Sequence, residues 1–305
     1  MLTLILIALL VILALFVNQL SQSIRTGASP SPSESTPAIQ KKIVYISNNL
    51  EDRDEYDQVT KLRNYFEPNE NLQFQILDSY GLLPQQTKNI DSLQSLPVDL
   101  IIINPIDAQN IYDKLSGSNI PVIYLNVQPT KESGVSIYFS DESGARLIAQ
   151  HVFASVYPDS NICIVAKEKS NSLYQKTLEE LKKVKDAYSA GQAIVSYFTY
   201  GIEISDIKRA MPDLMNSQAV VILDRANTSS IVQYLESNEF TGYTIAVSQD
   251  EKMTSKLMEG KLDAIVYRDK ELFAKTVYKT ALDVLNGSNF STSIDCHQEL
   301  LKSKD

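Results

Sequence analysis

Short, almost wholly apolar runs, separated by segments of helical periodicity, constrain this chain more than any other feature. The runs "IVYIS" at 43–47, "LQFQIL" at 72–77, "LIIIN" at 100–104, "PVIYLN" at 121–126 and "VSIYFS" at 135–140 are rich in β-branched and aromatic residues. Bounded by turn formers, they read as strands, and the continuous ones as strands covered on both faces. Between them, positions 55–66, 85–96 and 108–115 carry apolar residues at helical spacing, as in Tyr56, Val59, Leu62, Tyr65 and Phe66. Strands recur roughly every 20 to 30 residues, the length of one strand–helix unit, which predicts a parallel, doubly wound sheet.

The alternation then restarts. A helix over 143–156 leads to "NICIVA" at 161–166, then a helix over 174–186, "AIVSYF" at 193–198 and a helix over 205–215. "AVVIL" at 219–223, a helix over 228–237, "YTIAVS" at 243–248, a helix over 251–259 and "AIVY" at 264–267 follow. A last long helix over 270–285 is closed by Asn286-Gly287. The fold class is therefore α/β, with two similar doubly wound lobes of about a hundred residues each, a common domain size.

Before the first strand lies "LTLILIALLVILALFV" at 2–17, whose one polar member is Thr3. It reads as a transmembrane anchor over 1–20, with the apolar core of a signal peptide as the alternative. The Ser/Pro/Thr-rich segment 21–40 reads as a flexible linker that holds a domain off a membrane surface. Arg25, Lys41 and Lys42 follow the span. On the positive-inside tendency alone they would place the domain in the cytoplasm.

A net charge of −9 argues against a nucleic-acid groove and against binding to anionic lipid. Two cysteines and two histidines, none at ligand spacing, give no metal site. Cys163, inside an apolar run, reads as a buried structural thiol, with a disulfide to Cys296 as the minor alternative. No glycine-rich phosphate loop, nucleophile elbow or zinc-protease helix is present, and no cofactor is implied. Asp224 with Asp250 is the one carboxylate pair worth weighing for acid/base work. With no nucleophile beside it, the reading is a protein that is not an enzyme.

Polar residues instead gather at strand ends. They include Asn48, Asn49, Arg53 and Asp54 after the first strand, Asn104-Pro105 after the third and Asn126 after the fourth. In the second half they are Lys167, Tyr200, Asp224-Arg225, Gln249-Asp250 and Arg268. In open parallel sheets ligands sit beyond the carboxyl ends of the strands. Carboxylates, amides and guanidinium groups gathered there suit a polar, polyhydroxylated small molecule. Helix capping is the competing reading for any one of them.

Three stretches carry a family likeness. "VDLIIINPIDAQNI" followed by "NIPVIYLN", then "SDESGARLIA", then "VSQDEKMTSKLMEGKLDAIVYRDKELFAKTVYKTALDVLNG" stand in order along the chain. From about Lys41 to Gly287 the chain resembles the type I periplasmic binding proteins, the ribose-binding-protein and lac-repressor-core superfamily. The resemblance implies lobes over 41–139 plus 269–291 and over 140–268 plus 292–305, joined by three hinge crossings, with a ligand between them. It places Asp250 on the family's ligand-binding Asp, Arg268 on a hinge Gln, Asp224 on a common Asn and Asn126 on the Asp of an Asp-Arg pair. Ser172 or Tyr174 falls near a family Arg. The sequence departs where that pair's Arg is Val127 and where the stacking aromatics after the first strand are replaced around Arg53 and Asp54. The expected ligand-binding set is Asn49, Arg53, Asn126, Tyr174, Asp224, Asp250 and Arg268. The expected function is a single-pass, membrane-tethered, extracytoplasmic solute receptor that closes on a small polar, sugar-like ligand and is partnered by a sensor histidine kinase or an ABC transporter permease. A degenerate protein-interaction module and a cytoplasm-facing regulator are the alternatives.

Overall fold

The apolar runs pair into two six-stranded sheets. The computed structural model describes residues 40–129, 134–157, 159–166, 171–188, 195–199, 214–225, 227–288 and 291–303. The expected anchor and linker, Lys167, Tyr200 and most of the helix expected over 205–215 lie outside the described residues. Among the described residues no helix is long and apolar enough to cross a membrane.

The first sheet contains β1 (Lys41–Ile46), β2 (Leu72–Leu77), β3 (Leu100–Ile103), β4 (Val122–Leu125), β5 (Val135–Tyr138) and β11 (Ser293–Asp295), in the order β11-β5-β4-β3-β1-β2. All its pairings are parallel. The second contains β6 (Ile162–Ala166), β7 (Val195–Thr199), β8 (Ala219–Ile222), β9 (Tyr243–Ser248), β10 (Ala264–Arg268) and β12 (Gln298–Lys302), in the order β12-β10-β9-β8-β6-β7. Here β12 runs antiparallel to β10, so an otherwise parallel sheet carries one reversed edge strand.

Helices cover both faces of each sheet. In the first lobe these are α1 (Arg53–Phe66), α2 (Leu83–Leu93), α3 (Ala108–Leu115) and α8 (Lys270–Leu285). In the second they are α4 (Asp141–Ser155), α5 (Ser172–Tyr188), α6 (Thr228–Ser237) and α7 (Glu251–Met258). The α1 sequence shows why a helix starts where it does. Asp52 accepts a hydrogen bond from the Glu55 amide, Asp54 and Glu55 face the positive end of the dipole, and Val59, Leu62 and Phe66 bury one stripe. The far end of α8 is closed by Gly287 at φ +65, a left-handed cap that glycine adopts without a Cβ clash. With both faces covered, residues 43–46 of β1 and all of β3 are buried, as continuous apolar strands require.

The chain crosses between the sheets three times: from β5 to α4, from β10 to α8, and from β11 to β12. The third crossing falls at Cys296-His297, because β11 pairs with β5 in the first sheet. It lies a few residues beyond the boundary read from sequence. Cys163 and Cys296 are both buried and form no disulfide, which sets aside the disulfide alternative.

The corner at the end of β3 is held by a side chain from α2. Proline removes one backbone donor, and the flanking groups still need partners. Gln86, wholly buried, supplies both: its Nε2 donates to the Asn104 carbonyl at 3.0 Å and its Oε1 accepts from the Ile106 amide at 2.8 Å. Gln86→Leu keeps the volume but strands two backbone groups. It should cost about 2–4 kcal/mol, read as a lower denaturation midpoint at unchanged slope.

Candidate functional site

Both sheets reverse strand order once, between β1 and β3 in the first and between β6 and β8 in the second. The loops leaving those strands wall a single cleft of about 880 Å³ between the lobes. The first lobe contributes Asn48, Asn49, Asp52, Asp54, Glu55, Gln58, Asn104 and Asn126. The second contributes Asn171, Ser172, Leu223, Arg225 and Gln249, and the crossings contribute Tyr138, Phe139, Asp141 and Arg268. Carboxamides dominate, and four carboxylates stand against two guanidinium groups.

On the first-lobe wall, Glu55 sits on the buried stripe of α1 and is only 6 % exposed. Its Oε1 accepts from the Tyr45 hydroxyl at 2.7 Å and the Asn48 amide at 3.1 Å, and its Oε2 accepts from Asn104 Nδ2. Burial raises the Glu55 carboxyl above its ordinary range, and these donors act against that rise. Gln58 Nε2 donates to the Tyr45 oxygen at 3.4 Å, while Gln58 Oε1 accepts from Asn126 Nδ2 at 3.2 Å. One connected network therefore runs from Asn104 to Asn126.

Asp54 is the electrostatic link between lobes. Its Oδ1 accepts from Lys270 Nζ at 2.9 Å within the first lobe, and Arg225 Nε of the second lobe approaches its Oδ2 to 3.7 Å. Burial works to raise the Asp54 carboxyl, but Arg225, Lys270 and Arg53 together bring it below the usual carboxylate range.

At the back of the cleft Arg268 meets all three crossings. Its Nε donates to Gln298 Oε1 at 2.7 Å, its Nη2 donates to Asp141 Oδ1 at 2.9 Å, and its guanidinium lies 5.7 Å from the centre of the Phe139 ring. Gln298 Nε2 in turn donates to the Ser140 carbonyl at 2.6 Å, and the Ser140 amide donates to Asp295 Oδ1 at 2.9 Å. Gly144 leaves room for this clasp, since a Cβ there would stand 2.9 Å from Gln298 Oε1.

Of the residues expected from sequence, Asn49, Asn126 and Arg268 line the cleft. Asn126 does so in a left-handed conformation, φ +60, which Asn tolerates better than most residues. The other four lie off its walls. Arg53 is exposed at the start of α1. Tyr174 packs into the second-lobe core, with Ser172 taking the cleft position two residues earlier. Asp224 accepts from the Asn227 amide and side chain, and Asp250 caps α7 through the Lys252 amide; their neighbours Arg225 and Gln249 face the cleft instead. Glu55 and Gln58 were not anticipated, although a charged residue on an otherwise apolar helical stripe is a legible signal. Among the described residues no cluster of His, Cys, Asp and Glu is arranged to hold a metal ion.

Two α/β lobes, three crossings and a polar cleft at the strand ends define a two-lobed binding protein. Residues 67–289 match the model of the periplasmic binding protein domain, and the chain belongs to that family. No curated protein sequence matches the chain. Solved structures share the fold at low identity. An ABC transporter solute-binding protein from Bacillus halodurans C-125 with bound myo-inositol aligns at TM-score 0.74 and 20 % identity, over 88 % of this chain and 96 % of its own. The myo-inositol-binding protein of Caulobacter aligns at TM-score 0.71 and 15 % identity, over 91 % and 96 %. GanP, a glucose-galactose binding protein from Geobacillus stearothermophilus, aligns at TM-score 0.71 and 12 % identity, over 86 % and 97 %.

Removing the guanidinium would strand Asp141 and Gln298 around a buried void. Arg268→Ala should therefore destabilise the protein by about 3 kcal/mol. Arg268→Lys should recover less than half, because an ammonium lacks the fork that reaches two partners in fixed directions. Urea denaturation of the three proteins checks both, and full recovery by lysine would show that charge alone suffices.

Proposed function

We propose that this protein is a receptor for a neutral, polyhydroxylated small molecule, a sugar or cyclitol, that closes its two lobes around the ligand. The observation that carries this reading is the chemistry of the cleft. Both arginines already face carboxylates, Arg225 with Asp54 and Arg268 with Asp141. An anionic ligand would compete with those carboxylates for the guanidinium groups, whereas hydroxyl groups can bond to the surrounding carboxamides without disturbing the pairs. The volume suits a monosaccharide-sized ligand with room for ordered water. The bound myo-inositol of the Bacillus and Caulobacter proteins adds support from the same fold.

A ligand that touches both lobes only when they are shut shifts the open–closed equilibrium by its differential affinity. The contacts assigned to it are Asn49, Asn104 and Asn126 from the first lobe and Ser172, Arg225 and Gln249 from the second, with Arg268 beneath. The apolar stretch 2–17 and the polar tether 21–40 support a domain held at a membrane surface, and membership of the periplasmic binding protein family favours the outer face. There the closed surface would be read by a sensor histidine kinase or feed an ABC permease.

Thermal denaturation of the full chain with myo-inositol, aldohexoses, pentoses and sugar phosphates tests the reading. One neutral class should raise the melting temperature by about 3 °C or more at a hundredfold excess over Kd, and the phosphates should not. Asn126→Gly, which keeps the left-handed backbone while deleting the amide, and Arg225→Ala should each remove most of the rise. A flat response to every class would favour the interaction-module alternative instead.

A further inference from the structure

Hydrogen-bond polarity can be followed residue by residue along the first-lobe wall. A carboxylate only accepts, so the group facing Glu55 Oε2 must donate, and Asn104 turns Nδ2 toward it. The second Asn104 atom, Oδ1, is left for the cleft that Asn104 lines. On the other side, Tyr45 spends its one proton on Glu55 Oε1. Its oxygen can then only accept, so Gln58 must present Nε2 to it and Oε1 to Asn126. Asn126 answers with Nδ2, which again leaves Oδ1 for the cleft. The Asn104 backbone gives no independent anchor for the side chain, because its N–H and C=O are taken by Ile46 and Gln86.

We propose that Glu55 is a positioning residue that sets the specificity of the cleft: by accepting at both oxygens it turns the carboxamides of Asn104 and Asn126 so that each offers a carbonyl oxygen to the ligand. The first-lobe wall is then an acceptor surface, matched to a ligand that presents hydroxyl donors at two positions. It is mismatched to one whose corresponding oxygens are methylated. The inference rests on the solute-receptor reading for its ligand, but the amide orientations stand independently of it.

Glu55→Gln tests the chain of polarity. Gln at this position keeps Oε1 for the Tyr45 hydroxyl and Asn48 amide, so its Nε2 points at Asn104. Two facing donors repel, Asn104 turns over, and the cleft receives Nδ2. Adding Asn104→Asp restores an acceptor both to the glutamine and to the cleft. The first readout needs no ligand. In the 15N-labelled full chain, the Asn104 side-chain amide, assigned by its loss in Asn104→Asp, should exchange slowly with solvent, and Glu55→Gln should make it exchange rapidly. The second readout is the affinity for whichever neutral polyol raises the melting temperature of the wild type. Glu55→Gln should weaken it about tenfold, and Glu55→Gln with Asn104→Asp should return it to within about threefold. An Asn104 amide that exchanges rapidly in the wild type, or is unchanged by Glu55→Gln, would overturn the assignment. So would a double variant that binds no better than the single one. If no polyol binds the wild type, the receptor reading fails, while the exchange measurement still decides the role of Glu55.

Discussion

Three chain crossings join the two sheets, and one buried guanidinium touches all of them. Arg268 ends β10, stacks on Phe139, pairs with Asp141 and holds Gln298, so each crossing has at least one member in the same clasp. Burying a guanidinium costs several kcal/mol unless its donors are met, and here Gln298 stands opposite Arg268 in the second sheet while Asp141 opens α4. The clasp therefore fixes the three crossings to one another through a local electrostatic condition. It also forms the floor of the cleft, which puts the mechanical centre of the molecule next to its candidate ligand.

From that floor the two walls differ in kind. The second-lobe wall offers Arg225 as a charge that reaches across to Asp54, itself held by Lys270. The first-lobe wall offers amides whose directions are fixed from behind by Tyr45 and Glu55. A residue such as Glu55, costly to bury, is retained where a specific orientation depends on it. In this part of the first lobe Tyr45, Glu55, Gln58 and Asn104 form a hydrogen-bonded frame.

Much of the fold was legible because the covered strands and amphipathic helices obey local periodicity. The runs at 72–77 and 243–248 and the helices at 108–115, 228–237 and 270–285 coincide with β2, β9, α3, α6 and α8. The strands β11 and β12 escaped notice. They are short and polar in part, and their partners β5 and β10 lie far away in sequence, so pairing rather than pattern makes them strands. The site was legible only in outline. Strand ends identify the edge that faces the cleft, but Asp serves equally as a helix cap: Asp224 and Asp250 sit at the correct edge, where Asp224 accepts from the Asn227 amide and side chain and Asp250 from the Lys252 amide. Register along a helix decided Arg53 against Glu55, because two residues at a helix start turn the face by about 200°.

The central claim is that a solute closes the lobes on each other, and the distance between lobes measures it most directly. Lys88 on α2 and Gln233 on α6 are exposed, and both native cysteines are buried. Spin labels at Lys88→Cys and Gln233→Cys in the full chain therefore report one distance by pulsed electron resonance. The account predicts a broad distribution that narrows to a single shorter distance when a neutral polyol is added, and that stays broad with a sugar phosphate. A distribution unchanged by a polyol shown to bind would contradict closure as the way this cleft works.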